Sequence, residues 1–223
     1  PHLASFVNFY VGKDLINRGR FKEAENLLKK VTQTSYYYKK ALFHRGVALH
    51  FLGDSKVAIA SFESLVSQSS SKQDEWIRSQ ALLNIARVFY EKSDYFNSIK
   101  YYAQVKKNSE LWLTAVFEGA WAFFLMKKPN NTLGNIHTLQ SPFFSERYFP
   151  ESNILQAVTL LRFCMFAKVK EALAIFKEIY TKPLSEMNDL LKASRKNIEI
   201  LPNLIAEIES GDLKEYPKLK AIF

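Results

Sequence analysis

The chain has little of what would cross-link it, break its helices or hold it in a membrane. It contains one cysteine, seven glycines and seven prolines in 223 residues, so no internal disulfide can form. A lone thiol is typical of a reducing compartment but leaves the bacterial periplasm open. No apolar run approaches the roughly 18 residues that a membrane-spanning helix needs, and no stretch alternates as a strand would. These absences favour an all-helical fold.

Residue patterns for catalysis and for cofactor binding are also missing. The four histidines do not have metal-ligand spacing: they are His2, His44, His50 and His137. There is no glycine-rich phosphate loop, no HExxH and no GxSxG. Cys164 lies between Phe163 and Met165, which predicts a buried thiol and not a nucleophile. The sequence therefore predicts no enzyme activity, no cofactor, no metal and no small-molecule substrate.

What the chain does have is a repeat. Five residues recur with a period of 34 positions (46 − 12): Gly12, Leu15, Gly19, Lys22 and Ala24 return as Gly46, Leu49, Gly53, Lys56 and Ala58. Further copies are marked by Ala86, Phe89, Tyr95, Ser98 and Tyr102, and by Phe163, Ala172 and Phe176. A fixed period of this length is typical of a solenoid, in which each unit buries its apolar face only against its neighbours.

The repeated glycines predict two kinds of position. Gly12 and Gly46 lie inside a helical pattern, where glycine costs about 1 kcal/mol relative to alanine. That cost predicts a close helix crossing that has no room for a side chain. Gly19 and Gly53 follow the first helix of a pair, where a left-handed cap favours glycine.

Caps and prolines predict the boundaries. Asp54 and Asp94 are predicted N-caps of the second helices. We expect one continuous domain in which residues 1–183 form the solenoid. Residues 184–223 are expected to form C-terminal capping helices, kinked or broken at Pro202. The chain starts without methionine and ends abruptly, and we interpret it as a fragment.

This arrangement resembles the tetratricopeptide repeat (TPR) family. The residues that carry the resemblance are Gly12, Leu15, Gly19, Phe21, Ala24 and Leu28 with their copies, over most of residues 3–183. The resemblance implies an all-α, right-handed superhelical solenoid of antiparallel helix pairs, with about five repeats and a capping helix. The aromatic link 141–150, which contains Pro142 and Pro150, is followed by Glu151 and an aromatic-rich helix that ends near Cys164. This stretch faintly resembles TPR proteins of deltaproteobacterial cell envelopes, some of the gliding-motility type. That similarity implies a bacterial protein, in the periplasm or cell envelope or in the cytoplasm.

The resemblance also implies where a partner binds, because the first helix of each TPR pair lines a concave groove. The predicted partner-binding residues are Phe9, Lys13, Phe43, His44, Val47, His50, Phe51, Leu83, Asn84, Arg87, Tyr90, Phe123 and Phe124. Groove binding and packing against one another fit these residues equally well. The carboxylate clamp of chaperone-binding TPR domains is missing, since only Lys13 and Asn84 match it. A helix or an extended apolar segment of a protein partner therefore fits the groove better.

The net charge of +9 leaves two further hypotheses open. A basic chain is expected to meet an acidic partner or, alternatively, to bind nucleic acid. We set nucleic acid aside as the main partner because many lysines fall at helix ends, where cations complement the helix dipole. The other alternative is an oligomerisation or assembly module whose main partner is its own missing C-terminal region. The oligomeric state is left open.

Overall fold

Ten α-helices account for most of the described chain in this computed structural model. The structure describes residues 2–69, 71–144, 147, 149–197, 202–203 and 205–207. The helices are α1 (His2–Asn17), α2 (Phe21–Leu28), α3 (Tyr38–Phe51), α4 (Ser55–Gln68), α5 (Glu75–Glu91), α6 (Tyr95–Tyr102), α7 (Trp112–Leu125), α8 (Pro129–Leu139), α9 (Pro150–Arg162) and α10 (Phe166–Lys196). The described residues contain no strand, which confirms the predicted all-α class.

Among the described residues, the same turn joins the two helices at each of the five places where a first helix gives way to a second. Each turn has one residue with positive φ, namely Gly19, Gly53, Ser93, Lys127 and Cys164. In the first turn, the amide of Gly19 donates to Ile16 and the amide of Arg20 donates to Leu15. The other four turns repeat this pair of bonds, which is the Schellman pattern of helix ends. Five such turns in the described part of the chain agree with the predicted number of about five repeats.

Gly12 and Gly46, the glycines that recur inside the first helices, lie where helices cross closely. A Cβ at Gly12 would come within 2.7 Å of Leu28 Cγ, and a Cβ at Gly46 within 2.6 Å of Phe62 Cε1. Leu28 and Phe62 are themselves buried, so these contacts have no room to open. The close crossings predicted from the sequence are therefore confirmed.

The chain divides into two compact units, residues 1–128 and 129–223. In the first unit, each second helix packs against the first helix before it and against the first helix after it. The core of the second repeat shows both contacts, because Phe62 and Leu65 of α4 pack in one cluster with Leu49 of α3 and with Ile85 of α5. In the second unit, α9 packs against α8 and α10.

The predicted division at residue 183 falls inside α10, which continues without interruption to Lys196. Residues 184–196 are thus part of the last second helix. Most of the remaining residues of the predicted cap, namely 198–201, 204 and 208–223, lie outside the described part of the chain. A single continuous solenoid over residues 1–183, with a cap after it, stays a prediction.

Two local predictions change with the structure. Cys164, predicted to be buried, is exposed because it is the positive-φ residue of the turn between α9 and α10. Asp94 caps α6 as predicted, with its side chain accepting from the amide of Asn97. Asp54 occupies the N-cap position of α4, but its side chain makes no capping hydrogen bond.

Candidate protein-binding surface

The first helices of the first unit form a layer of their own. Helix α1 contacts α3, α3 contacts α5, and α5 contacts α7. Polar side chains join neighbouring members of the layer. His50 Nε2 on α3 lies 3.1 Å from Glu91 Oε2 on α5, and Arg87 on α5 bonds Glu118 on α7. We call the face carrying these side chains the first-helix surface.

A cavity of about 340 Å³ opens on this surface between α5, α6 and α7. Its lining is aromatic, with one ion pair: Arg87, Tyr90, Tyr102, Glu118 and Trp121. Aromatic walls around a few fixed polar groups are typical of sites that bind a side chain or a small group.

The ion pair in this cavity is held by three hydrogen bonds. Arg87 Nη2 donates to Glu118 Oε1 at 2.5 Å, and Arg87 Nε donates to Oε2 at 2.9 Å. The hydroxyl of Tyr102 donates to the same Oε2 at 2.9 Å. The hydrogen bond to Glu118 raises the pKa of Arg87, whereas burial and the Glu118 charge raise the pKa of Tyr102. Arg87 therefore stays charged and Tyr102 stays protonated.

These bonds leave one part of Arg87 available. Nε and Nη2 both face Glu118, so the carboxylate is largely satisfied, while Nη1 has no partner among the described residues. The Arg87 side chain is about two-fifths exposed. The cavity thus presents N–H donors beside the rings of Tyr90 and Trp121, an arrangement that suits an acceptor next to an apolar group.

The other end of the surface differs because a histidine there stays neutral. The His44 ring lies 5.8 Å from the ring of Phe9 and 5.3 Å from that of Phe43. Burial, with a smaller contribution from the charge of Lys13, lowers the pKa of His44 to about 4. This end is consequently aromatic and carries the exposed cation of Lys13.

The thirteen predicted partner-binding residues fall into three groups. Phe9 and Leu83 are buried, with 4% and 1% of their surface exposed, and they are part of the core. Lys13 and Phe51 are exposed, and Phe51 also stacks on Phe21 with centroids 4.6 Å apart. The remaining nine are half-buried: Phe43, His44, Val47, His50, Asn84, Arg87, Tyr90, Phe123 and Phe124.

The structure brings Arg87 and Tyr90 together, and it adds residues that the sequence analysis did not name. Glu118 and Trp121 lie on α7, and Tyr102 lies on α6. Glu118 lies nine residues before the turn residue Lys127 (127 − 118), as His44 lies nine residues before Gly53 (53 − 44). This position carries a histidine in one repeat and an acid in the other, so the repeat pattern gave no signal for the ion pair.

Neither a metal site nor a membrane span emerges from the described residues. No group of three or more histidine, cysteine or acidic side chains could hold a metal ion there. Within the same residues, no helix is both long enough and apolar enough to cross a bilayer.

Comparison with known proteins places the chain among helical-repeat proteins. Residues 80–109 match the sequence model of the tetratricopeptide repeat family. No curated protein matches the chain in sequence. Three solved structures show the extent of the fold similarity. A double mutant of MamA RS-1 has a TM-score of 0.62 at 15% identity, covering 78% of this chain and 93% of its own.

MamA from residue 41 to its end, from Desulfovibrio magneticus RS-1, has a TM-score of 0.60 at 14% identity, covering 78% of this chain and 94% of its own. The TPR-like repeats of a putative kinesin light chain from Podosopora anserina have a TM-score of 0.60 at 13% identity, covering 80% and 96%. Identities this low show the fold alone.

The fold, with its layer of first helices, is that of a helical-repeat protein built from antiparallel helix pairs. More narrowly, residues 80–109 match the tetratricopeptide repeat, and the solved structures share the fold of antiparallel helix pairs.

Proposed function

We propose that the chain is a non-catalytic scaffold that binds one segment of a partner protein along the first-helix surface. The segment is helical or extended, it is largely apolar, and it carries an acidic residue. The observation that carries the proposal is the aromatic cavity beside the Arg87–Glu118 pair, with N–H donors of Arg87 still available. Protein partners commonly anchor in such pockets through a few desolvated groups.

The acidic residue of the partner is assigned to Arg87. A carboxylate at Nη1 would meet a guanidinium whose position is already fixed by two bonds to Glu118, so little side-chain entropy would be lost. The apolar residues of the segment are assigned to Phe51, Phe43 and the half-buried rings of α7. The net charge of +9 also favours an acidic partner. The fixed guanidinium of Arg87 is a more specific reason to expect one than lysines scattered over the surface.

The test starts from peptides selected against the protein from a random display library. We expect Phe51→Ala to weaken the binding of selected peptides by about tenfold or more, as the loss of an aromatic anchor does. Phe96→Ala is the matched control, because Phe51 and Phe96 are 61% and 59% exposed but Phe96 lies on a second helix, α6. We expect that variant to bind the same peptides as the wild type does.

Two results would overturn the proposal. One is the absence of any enriched peptide. The other is peptide binding that depends on Phe96 and not on Phe51. Arg87→Lys adds a test of the acidic residue, since it keeps the charge near Glu118 but removes the two-pronged donor. We expect it to weaken acidic peptides and to leave their Asp→Asn or Glu→Gln forms unaffected.

The nucleic-acid alternative has a separate test. Binding to random DNA or RNA that falls steeply with salt would favour it, because phosphate contacts release counterions. Peptide binding that tolerates salt favours the scaffold.

A further inference from the structure

The second unit has a cavity of its own, of about 470 Å³, where the connection between α8 and α9 meets α9 and α10. We call it the second-unit cavity. Its volume is in the range of cavities that hold a small molecule. Much of its wall is apolar, and the apolar residues are Leu139, Pro142, Phe144, Phe149, Ile175 and Ile179.

The second repeat has a cavity at the equivalent place, but that cavity is polar. It measures about 580 Å³ and lies where the connection between α2 and α3 meets α3 and α4. Lys39 Nζ and Asp74 Oδ2 form an ion pair of 2.6 Å in its wall. The charges of this cavity are therefore already paired within the chain.

Equivalent positions show how the second-unit cavity became apolar. Tyr38 and Phe149 both lie fifteen residues before the positive-φ residue of their repeat (53 − 38, 164 − 149). Gln68 and Ile179 both lie fifteen residues after it (68 − 53, 179 − 164). At both positions, a residue with a polar group in the second repeat is replaced by a wholly apolar residue in the fifth. The second-unit cavity therefore suits an apolar group where the second repeat does not.

Two nearly buried polar side chains also line the second-unit cavity. Ser152 and Asn153 are 2% and 7% exposed. Gln140 Nε2 donates to Asn153 Oδ1 at 2.9 Å, which leaves Asn153 Nδ2 as the donor of that amide. Within the described part of the chain, neither this Nδ2 nor the Ser152 hydroxyl makes a hydrogen bond. A buried polar group without a partner is costly, so an acceptor in the cavity would stabilise both.

The charges around these donors favour an anionic acceptor. Arg147 lines the cavity, is exposed, and makes no ion pair with any described residue. Ser152 and Asn153 lie in the first turn of α9, where the positive end of the helix dipole favours negative charge. Glu151, the acid of that turn, is exposed and is not among the described residues that line the cavity.

We propose that the second-unit cavity binds a monocarboxylate with an apolar body. Its carboxylate accepts hydrogen bonds from Asn153 Nδ2 and from the Ser152 hydroxyl, and it pairs with Arg147. Its apolar body lies against Ile175 and Ile179. A medium-chain fatty acid and a peptide that ends in an apolar residue both have this chemistry. The proposal is independent of the first-helix surface and of the partner proposed for it.

The first experiment is calorimetric titration of the 223-residue chain with hexanoate, octanoate and decanoate, below the concentrations at which they form micelles. We expect each added methylene to tighten binding about fourfold until the cavity is filled, and the affinity then to level off. Octanol should bind at least about tenfold more weakly than octanoate, because it lacks the charge.

An acetylated dipeptide that ends in leucine distinguishes the two sources of the carboxylate. Tighter binding of the dipeptide than of octanoate would assign the cavity to a chain terminus. Tighter binding of octanoate would assign it to a fatty acid. Both results support a carboxylate site.

Three variants test the contacts. Arg147→Gln removes the cation, and Asn153→Asp places a like charge beside the ligand. Each should weaken octanoate by about tenfold or more, and neither should weaken octanol. Because Arg147 is exposed, its variant tests the site even if Asn153→Asp does not fold. Ile179→Gln transfers the residue of the second repeat into α10, and it should weaken octanoate and octanol alike by about tenfold.

Lys177→Gln is the matched control. Lys177 is exposed on α10 between Ile175 and Ile179, but it does not line the cavity. This variant should bind octanoate as the wild type does.

Three results would each overturn the proposal. One is that octanoate, decanoate and the dipeptide all fail to bind. Another is that octanol binds as tightly as octanoate, which would show a cavity that is indifferent to charge. The third is an affinity that keeps rising with chain length and is unchanged in Ile179→Gln, which would indicate adsorption on exposed apolar surface.

Discussion

The second and third repeats have the same backbone with different residues at its most demanding positions. In the second repeat, Gly46 lies against Phe62 at the helix crossing, and Gly53 takes the positive φ of the turn. In the third, Ala86 is buried at the crossing and Ser93 takes the same φ. The family match falls on residues 80–109, in the repeat without these glycines. Glycine is thus one solution at each position, and substitutions can show where it is required.

The largest expected effect is at the crossing. Gly46→Leu should lower the free energy of unfolding by about 3 kcal/mol or more, because overpacking at a closed contact typically costs about 1–3 kcal/mol. Even Gly46→Ala should destabilise, since its Cβ would meet the ring of the buried Phe62. Urea denaturation measures both.

Gly134→Ala is the control for that experiment. Gly134 lies in α8, and an alanine Cβ at this position would have no neighbouring atom within 4 Å. The variant should therefore gain up to about 1 kcal/mol from helix propensity. If Gly46→Ala were also stabilising, the crossing would be looser than the structure describes, and the difference from Ala86 would carry no meaning.

A second effect should appear as a pH dependence that the second repeat has and the third lacks. His44 corresponds to Asn84, and burial holds the pKa of His44 at about 4, below 6.5 for an exposed histidine. As pH falls, the unfolded chain binds this proton first. The stability that comes from neutral His44 is therefore complete above pH 6.5 and is lost between pH 6.5 and 4.

His44→Asn transfers the residue of the third repeat into the second. The wild type should lose about 2 kcal/mol more than this variant between about pH 7 and pH 4, a difference that cancels the titration of shared carboxylates. Chemical denaturation across that range measures it. If the free energy of unfolding changed with pH in the same way in both proteins, His44 would have the pKa of an exposed histidine, and its ring would be solvated.

The sequence predicted the repeated parts of the fold better than the contacts between them. Gly12 and Gly46 indicated the crossings because a glycine inside a helix has a cost that needs a reason. Ser93, Lys127 and Cys164 gave no such signal, since their side chains do not favour positive φ. For that reason the burial of Cys164 was predicted wrongly.

The candidate site was predicted in part for a related reason. Periodicity placed Arg87 and Tyr90 on the first helices, but it does not separate faces that are both apolar, so Leu83 was included although it is buried. Glu118, Tyr102 and Trp121 were missed because their meeting with Arg87 depends on the register between α5, α6 and α7. A single sequence does not contain that register.

A smaller effect is expected at the turns. Ser93→Gly should stabilise the protein by about 1 kcal/mol, because a non-glycine residue in the left-handed region costs about 1–2 kcal/mol. Gly53→Ala should destabilise it by a similar amount, through the backbone alone, since no atom lies within 4 Å of the added carbon. Urea denaturation of the two variants measures the exchange. If both variants were as stable as the wild type, the positive-φ positions of these turns would accept glycine and other residues equally well.

The smallest expected effect concerns Asp54 and Asp94, which occupy equivalent positions but are used differently. Asp94 accepts from the amide of Asn97 at 3.2 Å and from its side-chain Nδ2 at 2.6 Å, and these bonds lower the pKa of its carboxyl. Asp54 makes no capping bond. Asp94→Ala should therefore lower the Tm by roughly 2–4 °C at neutral pH, as expected for the loss of one cap in a chain of this size. Asp54→Ala should leave the Tm nearly unchanged.

Because the capping bonds favour the ionised form of Asp94, the difference in Tm between the two variants should shrink as pH falls below the ordinary pKa of an aspartate. Differential scanning calorimetry at two pH values tests both points, and equal losses in the two variants would mean that Asp54 caps α4 in solution.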